Sequence, residues 1–363
     1  MKAAAIISNL SILLLFVVAA SLNEYSESLY YLSVQEDELL ECATFWGFMV
    51  ASAIYFSSAY RQFKAEQFKF DLQMPWFVFG LGLFCFLVAM EEISWGQRLL
   101  GYRAPDYFLE QNFQQELNLH NIIDKSFRKL LMKIILLGYG VVLSAACLWK
   151  PVGNILARLG IVAPSPVLIL SFLAMYLIYT WYPWSHTGEW VELAMAFGFA
   201  YAALFQRAFE SSVIRNLLIV FAATWVLAAL TVGVVRFAHS ADPERLAMAR
   251  QEIEALQKDF TSGRVHARCG IHKRLYTFAV EYQQAYLFSG DFSDLLMSRG
   301  EDSRAEFLLD PWNSPYWIRH KCRNSREAKF VYSFGPDRQR DSNDWEIGDE
   351  ATGGDDIGVY LNR

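Results

Sequence analysis

The chain carries, one after another, apolar runs long enough to cross a lipid bilayer, and nothing else in it restricts the fold as strongly. A hydrocarbon core about 30 Å thick takes roughly 20 apolar residues per helical span. By that measure about seven spans are expected, at 4–22, 38–60, 75–93, 129–149, 165–185, 188–208 and 216–237. Each should be helical, because lipid offers no partner to an open backbone N–H or C=O. The composition agrees: of 363 residues 54% are hydrophobic and only 19% charged, too apolar for an ordinary water-soluble enzyme. A formal net charge of -6 supplies no basic field, so the expected partner is the lipid bilayer and not nucleic acid.

Cations between the runs set an expected orientation. Arg61, Lys64 and Lys69 follow the second run, Lys150 and Arg158 the fourth, and Arg207 and Arg215 the sixth. Those loops are expected in the cytoplasm. Residues 23–38 are acidic without Lys or Arg, and the turn before the sixth run holds His186, Thr187 and Gly188. Those are expected outside, which leaves the N-terminus cytoplasmic and the C-terminal part exported across a bacterial inner membrane. The segment 94–128 departs from this pattern, with Arg98, Arg103, Lys125 and Arg128 on the outer side. It is expected to lie along the interface, where long cationic side chains snorkel. Lys2, a short apolar run and Ala19-Ala20-Ser21 also fit a cleavable signal peptide, a choice the first run leaves open.

Two domains are therefore expected, a helical membrane bundle over 1–240 and a small exported α+β domain over 241–363. Pro243 and Glu244 suit the first turn of a helix, and Leu246, Met248, Ile253, Leu256 and Phe260 form its apolar stripe. A second helix is expected over about 271–289, from Leu275, Phe278, Ala279, Tyr282, Ala285 and Tyr286. Short apolar runs at 316–318 and 330–333 read as strands. Cys42, Cys85 and Cys147 lie in apolar runs and behave as small hydrophobes. Cys269 and Cys322 are the two cysteines of the exported part, where thiols oxidise, so a disulfide is expected between them.

The C-terminal part carries a family resemblance. Asp310-Pro311-Trp312-Asn313-Ser314-Pro315-Tyr316, Tyr332-Ser333-Phe334-Gly335-Pro336-Asp337 and Asp355-Asp356-Ile357-Gly358 resemble, in order, motifs of the major pseudopilin of type II secretion systems. The stretch from Leu275 through Tyr286 to Gly290 looks like that family's helix and the glycine turn that ends it. The resemblance implies a calcium ion holding the C-terminal loop to the sheet. Asp337, Asp355 and Asp356 would bind it, with carbonyls near Ser333 and Gly335. Asp341, Asp344, Glu346, Asp349 and Glu350 add further hard oxygen donors of the kind Ca²⁺ prefers. Read without the resemblance, the same acids are a solvated loop. Envelope or secretion proteins are the partners the resemblance implies. No basic leader or G-F-T-L-x-E motif precedes the seventh run, so a processed filament subunit is not expected.

Ionisable groups near the ends of membrane runs are functional candidates. Glu91 and Glu92 close the third run, His120 and Asn121 precede the fourth, and His186, Glu189 and Glu192 open the sixth, where a spacing of three stacks them on one helix face. Glu92, His120, His186 and Glu189 are expected to converge at the outer face. Such a set would hold a divalent transition metal and a metal-bound water, or else form a structural hydrogen-bonded network. The architecture faintly resembles the seven-span hydrolases that include alkaline ceramidases. The segments 91–97 and 118–121 look like recurrent pieces of bacterial polytopic membrane proteins of unassigned function. Two functions thus stay open: an envelope scaffold with an exported calcium-binding module, and a metal-dependent membrane hydrolase acting on lipid.

Overall fold

The computed structural model describes residues 2–35, 38–65, 75–112, 114–206, 213–239, 242–262, 269–323, 326–338, 340–342 and 354–361. The expectations for Lys69, Arg207, Asp344, Glu346, Asp349 and Glu350 lie outside them. The chain forms two compact units, Met1–Trp95 with Ile123–Gly233, and Gly96–Ile122 with Val234–Arg363.

The first unit is a helical bundle of α1 (Lys2–Tyr25), α2 (Leu39–Ala65), α3 (Trp76–Glu92), α4 (Lys125–Ala146), α5 (Ile169–Trp181), α6 (Thr187–Gln206) and α7, which starts at Val213 and ends at His239. Each expected run contains one of these helices. Among the described residues four helices, α1, α2, α4 and α7, are long and apolar enough to cross a membrane. The other three expected spans do not meet that measure. The helix α3 has only 17 residues, α5 is shorter still, and α6 carries Glu189 and Glu192 in its first turns.

The bundle is built around α6, which packs against α1, α2 and α5. Residues Leu193–Phe205 are buried without a break, as a helix apolar on all sides should be. Its small residues Ala194, Ala196, Gly198, Ala200, Ala202 and Ala203 permit close approach, which is how helices associate in lipid. A Cβ added at Gly47 of α2 would stand 2.9 Å from that of Ala196. The ring of Phe172, on α5, fits against glycines of both neighbours: a Cβ would come within 3.0 Å of it from Gly198 and 2.3 Å from Gly140. Gly140 lies in Ile134–Leu143, a stretch of α4 wound as a π-helix. Polar side chains tie the helices further, with Asn9 Nδ2 donating to Val167 O (2.8 Å), Ser171 Oγ to Asn9 Oδ1 (2.7 Å) and Trp46 Nε1 to Thr231 Oγ1 (2.8 Å).

The second unit combines α8 (Pro243–Ser262), β1 (His272–Arg274), α9 (Leu275–Glu281), α10 (Asp291–Ser298), α11 (Asp302–Phe307), β2 (Trp317–Arg323), β3 (Arg326–Ser333) and β4 (Ile357–Tyr360). The strands form one antiparallel sheet in the order β1-β2-β3-β4. The helix α8 packs on α10, β3 and β4, and its Ile253, Leu256 and Phe260 share a core with Phe278, Phe292, Tyr316, Ile318 and Val331.

Two expectations are corrected in this unit. The single helix over 271–289 is broken: residues 272–274 pair with β2 instead, α9 ends at Glu281, and Gln283 takes a left-handed φ of 52°. Gly290 does not end that helix but precedes α10. A Cβ there would lie 2.3 Å from Asp259 Oδ1, and the Asp259 carboxylate accepts the Asp291 and Phe292 amides at 2.6 and 3.0 Å.

The segment 96–122, assigned on sequence to the membrane part, belongs to the second unit, and the boundary falls at Gly233 rather than near 240. Ala104 and Leu109 cluster with Phe307 and Leu309. Arg103 pairs with Asp106 (2.7 Å), and its guanidinium stands 5.1 Å from the Phe307 ring centroid. Buried amides hold the segment in shape. Asn112 Nδ2 donates to Glu116 O (2.6 Å) and to Asn118 O (2.9 Å), and the Leu117 amide donates to Gln97 Oε1 (2.6 Å).

Close packing on α6 has a measurable consequence. Gly47→Val is expected to destabilise the purified protein by about 1–3 kcal/mol, the usual cost of overpacking. Gly80→Ala, at a helical position with nothing within 4 Å of the added Cβ, should be neutral or slightly stabilising. Thermal unfolding of the two variants in detergent makes the comparison.

Candidate functional site

The acids of the second unit meet where the chain leaves β3 and where it re-enters the sheet as β4. Asp310 prepares the place. It is fully buried. Its Oδ1 accepts the Trp312 and Ser314 amides at 2.9 and 2.8 Å, and its Oδ2 accepts the Ser333 hydroxyl at 2.6 Å. The Ser333 oxygen in turn accepts the Gly335 amide at 3.0 Å. The turn 310–316 is thereby tied to the end of β3, and Gly335 follows with φ of +72°. Any Cβ at Gly335 would stand 2.3 Å from the Asp355 carbonyl oxygen, so only glycine lets the two backbone segments approach this closely.

Beyond that turn, carboxylate oxygens of Asp337, Asp341 and Asp355 all lie within 4.8 Å of one another. The Asp355 amide donates to Asp341 Oδ2 at 3.3 Å, and the Ser342 amide to Asp356 Oδ2 at 2.8 Å. Gly354, with φ of +57°, lets Asp341 in, since a Cβ there would collide with its carboxylate. Burial and the nearby Asp341 charge raise the Asp355 carboxyl above the ordinary range. The Asp356 carboxyl is pushed up to about 8, chiefly by burial. Asp355 Oδ1 and Asp356 Oδ1 are both buried without a hydrogen-bond partner. Three mutually close carboxylates, with an unpaired buried oxygen on Asp355 and another on the adjacent Asp356, fit a hard divalent cation, which would supply positive charge and accept those lone pairs.

Of the residues expected here, Asp337 and Asp355 meet directly, while Asp356 stands beside them and orders Ser342. Ser333 and Gly335 act by shaping the turn, through the Asp310 bond and the close backbone passage. Asp341 completes the cluster, and the sequence signalled it only as one acid among many. Cys269 and Cys322 are joined as a disulfide, with Cα atoms 5.6 Å apart.

The membrane candidates divide between units. In the first unit the charges of Glu192, Glu189, Glu41 and Glu91 all act on Glu92, which brings the end of α3 together with the starts of α2 and α6. Arg128 of α4 acts on Glu192, and Trp95 Nε1 donates to Glu91 Oε1 at 2.8 Å. After α3 the chain turns through Ser94, Trp95 and Gly96, all left-handed, with φ of 45°, 55° and 79°. His186 does not share a helical face with Glu189. It precedes α6 in a left-handed conformation (φ 56°) and meets Tyr31 edge-on at 6.0 Å. His120 stands in the 119–122 turn of the second unit, and so is not part of the unit that holds Glu92, His186 and Glu189.

The Asp310 bonds yield a test of this construction. Asp310→Ala leaves two amides and a hydroxyl without their acceptor, so a loss on the order of 3 kcal/mol is expected. Asp310→Asn, which keeps the shape and one acceptor, should lose less. Chemical unfolding followed by tryptophan fluorescence measures both.

Compared with known proteins, the chain matches no family model, no curated protein and no solved structure.

Proposed function

We propose that the protein is an integral inner-membrane protein that carries an exported, calcium-binding, pseudopilin-like module and serves as an envelope scaffold or interaction protein. About seven helices span the bilayer in this reading, with the N-terminus in the cytoplasm and the C-terminal unit outside. Its partners are envelope or secretion proteins, and it is not a processed pilin. One observation carries the reading: Asp337, Asp341 and Asp355 gather at the β3–β4 passage, with buried oxygens on Asp355 and Asp356 left unpaired. Calcium there would hold the segment around 355 to the end of β3 and complete the small sheet. The bound ion would therefore be structural, and the surface it orders would be the part offered to partners.

Calcium should raise the melting temperature of the purified full-length protein, because an ion that binds only the folded state adds about 2.7 kcal/mol at a hundredfold excess over its Kd. A calcium chelator should reverse the shift. Asp341→Asn and Asp355→Asn should abolish the response while leaving a cooperative transition. A melting temperature indifferent to calcium in the unaltered protein defeats the reading.

A second reading, a metal-dependent hydrolase acting on lipid, is favoured by the charges of Glu41, Glu91, Glu189 and Glu192, which all act on Glu92. It requires stoichiometric transition metal in the purified protein and loss of a lipid-directed activity in Glu92→Gln. Metal analysis that finds none, together with an unaltered Glu92→Gln phenotype, leaves the scaffold.

A further inference from the structure

The disulfide has a third group beside it. His320 Nε2 lies 3.4 Å from Cys322 Sγ. Donor atoms of Cys269, His320 and Cys322 all fall within 4.8 Å of one another. The arrangement follows from strand geometry: residues 320 and 322 of β2 share a face because side chains alternate. Lys321 takes the other face, 5.7 Å from the Phe330 ring centroid. Backbone bonds bring Cys269 to the same place independently of the sulfurs. The Gly270 amide donates to His320 O at 2.9 Å, and the His320 amide to Ile271 O at 2.8 Å.

We propose that Cys269, His320 and Cys322 form a second metal site, for Zn²⁺ or a similarly soft divalent cation, which is occupied when the disulfide is reduced. The step needs a dithiol reductant. Its two sulfurs join as a disulfide and give up two electrons and two protons, and the Cys269–Cys322 bond breaks to two thiols. On metal binding both thiols release their protons and bond as thiolates, and the neutral imidazole adds a nitrogen lone pair. A tetrahedral zinc site with bonds near 2.3 Å to sulfur and about 2.0 Å to nitrogen places adjacent sulfur and nitrogen about 3.5 Å apart. The His320–Cys322 pair already has that separation, so only the two sulfurs must move apart by side-chain rotation. The fourth position is open to water. Sulfur and nitrogen donors select a different ion from the all-oxygen Asp337–Asp341–Asp355 cluster, so the proposal does not depend on calcium binding there.

The full-length protein in detergent, reduced with dithiothreitol and desalted without oxygen, is titrated with Co²⁺ and then Zn²⁺. One equivalent of Co²⁺ should give a thiolate-to-cobalt charge-transfer band that Zn²⁺ abolishes, and the oxidised protein should give none. Cys322→Ser should remove the band. His320→Gln should weaken Co²⁺ binding at least tenfold while still forming the disulfide on reoxidation, which reports an intact fold. Asp341→Asn should leave the band unchanged. Zinc-edge X-ray absorption of the reduced unaltered protein should show two sulfurs and an imidazole nitrogen. Absence of the band, a set of zinc-bound atoms other than two sulfurs and an imidazole nitrogen, or undiminished affinity in a His320→Gln protein that still forms the disulfide overturns the proposal.

Discussion

Because α6 has no exposed side between Leu193 and Phe205, each neighbouring helix has to fit against it at once, and their residue sizes are set by that demand. Apolar helices gain nothing by leaving lipid for one another unless they pack more closely than lipid tails do. Gly47 against Ala196, and Phe172 between Gly140 and Gly198, are where that closeness is reached. The same demand locates the charges. A helix surrounded along its length can carry carboxylates only near its ends, and Glu189 and Glu192 occupy its first turns. There their charges act on Glu92 at the end of α3, as does that of Glu41 at the start of α2.

The second unit solves the opposite problem, since its core has polar groups inside it. Glu252 of α8 is fully buried and accepts from Arg304 (2.5 Å), Arg299 (3.0 Å) and the Tyr316 hydroxyl (2.9 Å). Burial pushes its carboxyl up to about 7, although Arg304 pulls the other way. A buried charge that loses its partner is strongly destabilising. This group therefore fixes how α8 meets α11 and the start of β2. Asp310 does the same for the turn that leads into β2. One side chain links the Glu252 carboxylate to the Asp310 backbone, because Arg304 Nε also donates to the Asp310 carbonyl oxygen at 2.9 Å.

The apolar runs of the first unit were legible because lipid leaves a helix as the main solution for each of them, and length alone places the ends. The runs could not show which helix would be central. That depends on small residues at matching heights on α2, α5 and α6, a property of pairs of segments. The strands around Ile318 and Val331 were legible as short apolar runs, whereas residues 271–274 were lost to an apparent helical stripe that strand pairing overrode. Segment 96–122 misled for a related reason. Its aromatic residues and cations look interfacial, but Gln97 and Asn112 bond to its own backbone, which no local pattern announces. In the acid cluster, the family resemblance pointed to Asp337, Asp355 and Asp356. Asp341 depends on how the chain returns after 342, and the His186 spacing failed because the helix starts one residue later.

The carboxylates of the candidate calcium site come from both sides of a sheet that closes late. Asp337 and Asp341 follow β3 directly, while Asp355 arrives just before β4. A ribosome delivers these in order, so β3 presents an unpaired edge until some two dozen further residues have emerged. An open edge is a template for pairing with other chains. Helix α8, already made, packs on β3 and on β4, and so can shelter that edge's surroundings but not its hydrogen bonds. Completion of the sheet and of the acid cluster is thus a single late event in the life of each molecule. Until it happens, the unit is at its most vulnerable to proteases and to its own neighbours.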